Sequence, residues 1–453
     1  MRSATLRLLN SLSSEYGILL VLILVCGVFS AATVTTQSPE GADGGDRLAR
    51  EVIARTQSGA RIAIVVRGTE KDAAFADALR ARLEAAGRVV VHDVRGSPAD
   101  VRQALEGLSN RREAVAVIAA HPEMANKPFL ENARDKYPGL GDPAVFAPST
   151  STWPTFLTST NLLNIANQIS VIAILAIGMT MVIVAGGVDL SVGSLMALSS
   201  VIATRFIRDA AGAEAASPAG TVLGAAVAMA VCAAVGAASG SCVAAMRMAP
   251  FIVTLSLMLI GRGAASILSQ GQSIYQVPES FKWLGTGMVF GRVPYAVLLM
   301  LGLYAVAHFV MSRTVFGRHV YAVGGNAEAA RLAGVPVRRV VVTVYALSGA
   351  LAGLGGVVTA SQFNSGSHNY GDMYELYAVA AAVVGGASLR GGEGKMIGTL
   401  LGALLIAVIQ NGLNLTGVGS HPQKVVLGAV ILGAVVLDQW KKSGWSVRRL
   451  VRA

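Results

Sequence analysis

Two charged residues stand inside apolar stretches of the chain: Asp189, in Gly186-Gly-Val-Asp-Leu-Ser-Val-Gly193, and Arg262, in Ile260-Gly-Arg-Gly263. An ionisable group in such a setting is costly unless it pairs or faces water, so each needs a reason. The glycines beside them, together with Ser191, permit a broken helix whose free backbone groups turn toward a cavity. An Asp to Arg pair, or a cap on a half-helix, is an equally good reading of the same residues. Neutral amides cluster as well: Asn161, Asn164, Asn167 and Gln168 open one apolar run, Gln362 and Asn364 close another, and Gln410, Asn411 and Asn414 end a third. Gln410 and Asn414 are four apart and share one helical face. As a set, these donors and acceptors suit a hydroxylated, uncharged solute better than an ion. Taken singly, glue between helices is the simpler reading of each. The residues expected along a solute path are Asn164, Gln168, Asp189, Ser191, Arg262, Asn364, Gln410, Asn411 and Asn414.

Built-in catalysis finds no support. Gly391-Gly-Glu-Gly-Lys-Met396 lacks the first glycine and the Ser or Thr after Lys that a phosphate-cradling loop requires. No GxGxxG follows a strand, no HExxH occurs, and no serine sits in a GxSxG elbow. His92 and His121 stand apart from any carboxylate cluster at ligand spacing and read as packing or surface residues. Cys26, Cys232 and Cys242 fall in apolar runs without metal spacing. No catalytic residue, metal site or cofactor is expected.

The elements that would position the polar residues follow from composition. Of 453 residues, 53% are hydrophobic and 14% charged, and the mean hydropathy is +0.57. So few polar side chains cannot cover a water-soluble globule of this size, and lipid is the natural solvent. A helix needs roughly 20 apolar residues to span the hydrocarbon. Such runs occur at about 18–32, 162–185, 191–207, 219–245, 251–269, 293–311, 340–361, 376–389, 396–413 and 423–438. The fold class expected is an all-α polytopic membrane protein of about ten transmembrane helices. Small residues, as in Gly349-Ala-Leu-Ala-Gly-Leu-Gly-Gly356 and Gly398-Thr-Leu-Leu-Gly402, let those helices approach closely.

The stretch from Thr36 to Thr150 holds 16 of the 37 Lys and Arg and 16 of the 26 Asp and Glu, so the net +11 belongs to the rest. Those cations sit in short loops, which argues for retention on the cytoplasmic side and against nucleic acid. With the N-terminus inside, Arg2, Arg7, Arg247, Arg313, Arg318, Arg331, Arg338, Arg339, Arg390, Lys395 and the tail residues Lys441, Lys442, Arg448, Arg449 and Arg452 are cytoplasmic. Only Arg205, Arg208, Lys282, Arg292 and Lys424 fall outside, so both termini are expected in the cytoplasm. The first run resembles a signal peptide, but the threading closes properly only with it retained as an anchor. Residues 1–35 are then the N-terminal segment and first helix, 36–150 a soluble insert, 151–440 the bundle and 441–453 a basic tail. The insert reads strand at 61–66, helix at about 70–86, strand at 89–94, helix at about 98–109 and strand at 114–120. That is a βαβαβ unit, with Pro143 to Pro154 as a linker back to the bilayer.

Several motifs carry a resemblance. Phe156-Leu-Thr-Ser-Thr-Asn-Leu-Leu-Asn-Ile165, Ala176-Ile-Gly-Met-Thr-Met-Val-Ile183 and Gly186-Gly-Val-Asp-Leu-Ser-Val-Gly-Ser194 resemble the permease subunits of the ribose, xylose, arabinose and galactose class of ABC importers. The likeness continues through Gly317-Arg-His-Val-Tyr-Ala-Val-Gly-Gly-Asn-Ala-Glu-Ala-Ala-Arg-Leu-Ala-Gly334 and Gly385-Gly-Ala-Ser-Leu-Arg-Gly-Gly-Glu-Gly394, and covers about residues 153–440 plus the first helix. It implies a multi-pass subunit of the bacterial inner membrane that pairs with a second copy or a relative. Sugar would come from a periplasmic binding protein, and a separate cytoplasmic ATPase would drive the cycle. The segment from Gly324 to Gly334 resembles the helix that docks on the ATPase, and the residues so implied are Gly325, Asn326, Glu328, Ala329, Ala330, Arg331 and Gly334. Asn326 is placed to cap a short helix in a basic loop, in agreement. Two features depart from the family: the insert, which falls on the periplasmic side of this threading, and Thr254-Leu-Ser-Leu-Met258, which replaces a Thr-Leu-Gly-Thr-Met pattern. Three rivals remain: a related permease for branched amino acids, an ion-coupled secondary transporter and a membrane sensor. The second predicts several buried carboxylates and the third a cytoplasmic output domain.

Overall fold

Ten helices take up the ten apolar runs in a computed structural model that describes residues 17–289, 291 and 293–443. Arg2, Arg7, Arg292, Arg448, Arg449 and Arg452, used above to set the threading, lie outside the described residues. Helix α1 spans Gly17–Ala32, strand β1 Val34–Gln37 and helix α2 Gly41–Arg55. Then come β2 (Arg61–Val66), α3 (Glu70–Ala85), β3 (Val89–Arg95), α4 (Pro98–Asn110), β4 (Val117–Ala120), β5 (Ala144–Phe146) and β6 (Ser151–Pro154). The rest is mainly helical, apart from a short antiparallel pair of Met288–Val289 with Val293–Pro294: α5 (Ser159–Val184), α6 (Val192–Ala210), α7 (Pro218–Met246), α8 (Pro250–Ser269), α9 (Tyr295–Arg313), α10 (Val315–Gly325), α11 (Ala327–Leu332), α12 (Val337–Phe363), α13 (Tyr374–Val384), α14 (Met396–Leu415) and α15 (Ser420–Ser443).

Two units result, Val34–Thr155 and the remainder. In the smaller one, four parallel strands are ordered β3-β2-β4-β5. Alternation along β2 decides which helix lies on which face. Ala63 and Val65 pack with Val101, Leu105 and Leu108 of α4, whereas Ile62, Ile64 and Val66 pack with α2 and α3 through Leu48, Val52, Phe75 and Leu79. Helix α3 starts where Thr69 accepts from the Asp72 N–H, and α4 where Ser97 and Asp100 cap each other's backbone. Residues 143–154, read from sequence as a linker, instead carry β5, which extends the sheet, and β6, which pairs antiparallel with β1 from Val34 opposite Pro154 to Gln37 opposite Ser151.

In the larger unit, α5 is the central post: 89% of its apolar window is buried, against 22% for α8 and 28% for α7. Helices α7 and α12 approach through glycines on both sides, Gly236 lying on the Tyr345 carbonyl and Gly349 on that of Cys232. Val222, Leu223, Phe251, Ile252, Leu259 and Ile267 remain exposed on α7 and α8, as a surface meant for lipid or another helix requires. Among the described residues six helices are long and apolar enough to cross a membrane: α5, α7, α8, α9, α12 and α14. The other apolar runs form shorter or more polar helices, α13 having only 11 residues, so six spans rather than ten stand on length and composition.

Candidate functional site

Helix α5 ends in a Schellman motif: the Gly186 N–H bonds the Ile183 carbonyl, the Gly187 N–H bonds that of Val182, and Gly186 takes a φ of +87°. The loop that follows carries Asp189, which is 1% exposed. Its Oδ1 accepts from the Ser191 N–H at 3.0 Å and the Ser191 hydroxyl at 2.6 Å, and its Oδ2 accepts from the Ser348 hydroxyl of α12 at 2.8 Å. Thr254 of α8 donates to the neighbouring Val188 carbonyl at 3.2 Å. Asp189 is thus a junction between the loop and α12, with Ser191 as its partner at the start of α6. Arg262 is not paired with it: one guanidinium nitrogen of Arg262 bonds the carbonyls of His368 and Tyr370 at 2.8 and 2.7 Å, fixing the turn that leads into α13.

That turn brings in a residue that sequence reasoning passed over. Glu375 opens α13, is 9% exposed, and its Oε2 has no hydrogen-bond partner. It lies against Gly193 in the first turn of α6, where any Cβ would collide with the carboxylate. Its only sequence signal was a carboxylate at the mouth of the run beginning near 376.

The amides divide between partners. Asn161 and Asn411 exchange two hydrogen bonds of 2.9 Å, tying α5 to α14. Asn414 accepts from Gln423 at 2.6 Å. Asn364 ends α12 with a φ of +48°, and its Oδ1 is buried without a partner. Asn164 and Gln168 are exposed on α5. The expected path residues therefore form several local sets: Asp189 with Ser191, Asn411 with Asn161, Asn414 with Gln423.

The segment resembling a docking helix forms an elbow. The side chain of Asn326 accepts from the Ala329 N–H at 2.9 Å and starts α11, Ala330 is buried beneath it, and Gly334 closes it at a φ of +84°. Glu328 and Arg331 pair at 2.7 Å on the exposed side, where Leu332 is 82% exposed. Behind the elbow, Gly324 sits directly on the Val184 carbonyl, the Gly392 N–H donates to that same carbonyl at 2.8 Å, and Tyr321 donates to the Gly394 carbonyl at 2.6 Å. Gly186, Gly324 and Gly391 meet backbone to backbone, with no side chain between them.

Long apolar helices, a glycine-broken loop in their midst and an exposed elbow resting on it define a multi-pass membrane protein of the permease class. Residues 161–435 match the family described as branched-chain amino acid transport system, permease component, and the chain belongs to that family. It is 41% identical to the ribose import permease protein of Escherichia coli (strain K12) over 293 residues, which are 64% of this chain and 88% of that one. The corresponding protein of Bacillus subtilis (strain 168) is 42% identical over 292 residues, again 64% and 88%. The L-arabinose ABC transporter permease protein of Azospirillum brasilense is 36% identical over 299 residues, 66% and 86%. These matches uphold the resemblance drawn from the motifs. No solved structure matches.

Proposed function

We propose that this chain is the membrane subunit of an ABC importer for a monosaccharide or a similar polyol, and that it forms the translocation path by alternating access with a second copy or a relative. The carrying observation is the 41% identity that spans 88% of a ribose import permease. ATP hydrolysis belongs to a separate cytoplasmic chain, which docks on α11, and a periplasmic binding protein delivers the solute. The elbow supports this division of labour. A push on α11 reaches the Val184 carbonyl through Gly324, and α5 leads from there into the loop of Asp189. With little compressible between them, the end of α5 follows the elbow. The inner membrane, with residues 36–150 on the periplasmic side and both termini in the cytoplasm, is the setting this arrangement requires.

The branched amino-acid reading asks Asp189 and Arg262 to meet an ammonium and a carboxylate. Asp189 is instead engaged by three donors and Arg262 by two carbonyls, so both charges already serve the fold. Proteoliposomes holding the chain with its ATPase and binding protein test the proposal directly. ATP-dependent accumulation of a labelled pentose or hexose is expected; uptake that ignores ATP and collapses with an ionophore would replace it with ion coupling.

A further inference from the structure

The α/β unit has a feature that the transport reading leaves unused. Strand β2 lies between β3 and β4, so the chain winds one way from β2 to β3 and the other way to β4. Such a reversal opens a crevice at the carboxyl ends of the strands, the customary ligand position in open α/β sheets. A cavity of about 400 Å³ lies there, lined among others by Arg67 after β2, Pro98 after β3, and Glu123, Met124 and Lys127 after β4. That volume is within the range of small-molecule pockets, roughly 300–1,000 Å³.

Arg67 is held rigidly. Its Nε and one terminal nitrogen bond the two oxygens of Asp72 at 2.7 and 3.3 Å, its other terminal nitrogen bonds the Glu123 carboxylate, and Asp72 is itself buried. A guanidinium fixed from behind keeps N–H groups to spare on its open side. The charges balance: the buried Asp72 offsets Arg67 from behind and Glu123 stands at the cavity with Lys127, so an anion arriving here would find no net positive charge and would meet the Glu123 carboxylate. Side-by-side donors and acceptors match the vicinal hydroxyls of a neutral polyol, which donate to a carboxylate and accept from a guanidinium. Pro98, exposed at the start of α4, supplies the apolar wall on which a ring face rests.

We infer that this unit carries a solute site of its own, formed by Arg67, Glu123 and Lys127, for a neutral polyhydroxylated molecule of the class the bundle transports. The inference rests on the sugar-permease reading for that class. The test is hydrogen exchange on the full chain in lipid nanodiscs, without binding protein, with D-ribose, L-arabinose and ribose 5-phosphate as probes. The expected result is protection of residues 67–69, 96–98 and 121–127 by one of the neutral sugars at millimolar concentration. Glu123→Gln and Lys127→Ala should each weaken this by about tenfold, the loss of one charged hydrogen bond. Absence of protection in the wild-type chain, protection unchanged in both variants, or tighter binding of the phosphate would each overturn the inference. Wild-type proteoliposomes that accumulate the same sugars while showing no protection would remove this site alone; failure of the uptake as well would remove the transport reading.

Discussion

The carboxylate of Asp189 takes its three hydrogen bonds from two different elements, so its role is to hold the loop after α5 in register with α12. Asp189→Ala leaves buried N–H and O–H groups unmatched, and should lower stability by on the order of 2 kcal/mol. Asp189→Asn keeps one acceptor for Ser191 and should lose less; thermal unfolding in detergent that ranks the two variants equally would contradict this role. Glu375 is the residue whose environment was hidden from sequence, because nothing in Tyr374-Glu-Leu-Tyr377 signals that Gly193 of α6 lies against it. In the smaller unit, burial pushes the His121 imidazole below its ordinary value, with the Arg67 charge adding to that and Asp72 and Glu123 opposing it. Its neighbour Asp72 would be raised by burial, but hydrogen bonds from Arg67 and Thr69 and the charges of His121 and Arg67 hold its carboxyl below the usual range. Both signs agree: the unfolded chain binds more protons, so stability is full above the free histidine value near 6.5 and falls as the pH drops below it. Asp72 extends the loss further into acid. The protection of the amides across residues 61–66, taken relative to the intrinsic exchange rate at each pH, should fall between pH 7 and pH 5, and His121→Gln should flatten that part of the profile.

Among the elements, the elbow of α10 and α11 makes the sharpest prediction. A methyl group at Gly324 would strike the Val184 carbonyl, whereas one at Gly325 meets nothing. Gly324→Ala should abolish uptake while leaving the chain folded, and Gly325→Ala should transport normally; equal behaviour of the two would deny that the backbone seam transmits motion. Leu332, exposed at the tip, should matter for docking, so Leu332→Glu is expected to release the ATPase on co-purification. Breaking the Glu328 to Arg331 pair should change stability by at most about 0.5 kcal/mol, as for other exposed helix pairs. The existence of these helices was legible, since apolar runs and the Asn326 cap are local signals. What their polar residues face was not. Taken singly, Asn411 leans toward glue over a solute contact, but only the partner Asn161, 250 positions away, decides for glue. The strand β5 escaped notice for a related reason: three residues between prolines make a β-strand only when β4 is there to receive them.

For the whole molecule, the threading can be checked with single cysteines in a background lacking Cys26, Cys232 and Cys242. Arg331→Cys should resist an impermeant maleimide on intact cells, and Arg134→Cys, on the exposed surface of the smaller unit, should react; the opposite pattern would turn the scheme inside out. The pairing of β1 with β6 has a consequence of a different kind. Because Val34 lies opposite Pro154, the smaller unit begins and finishes side by side on one rung of a two-stranded ladder. A domain whose ends meet in this way can be grafted or excised like a cassette, leaving the thread through the lipid uncut. The same junction should accept any foreign module with neighbouring termini, which makes it a natural mounting point for a fluorescent reporter on a working transporter.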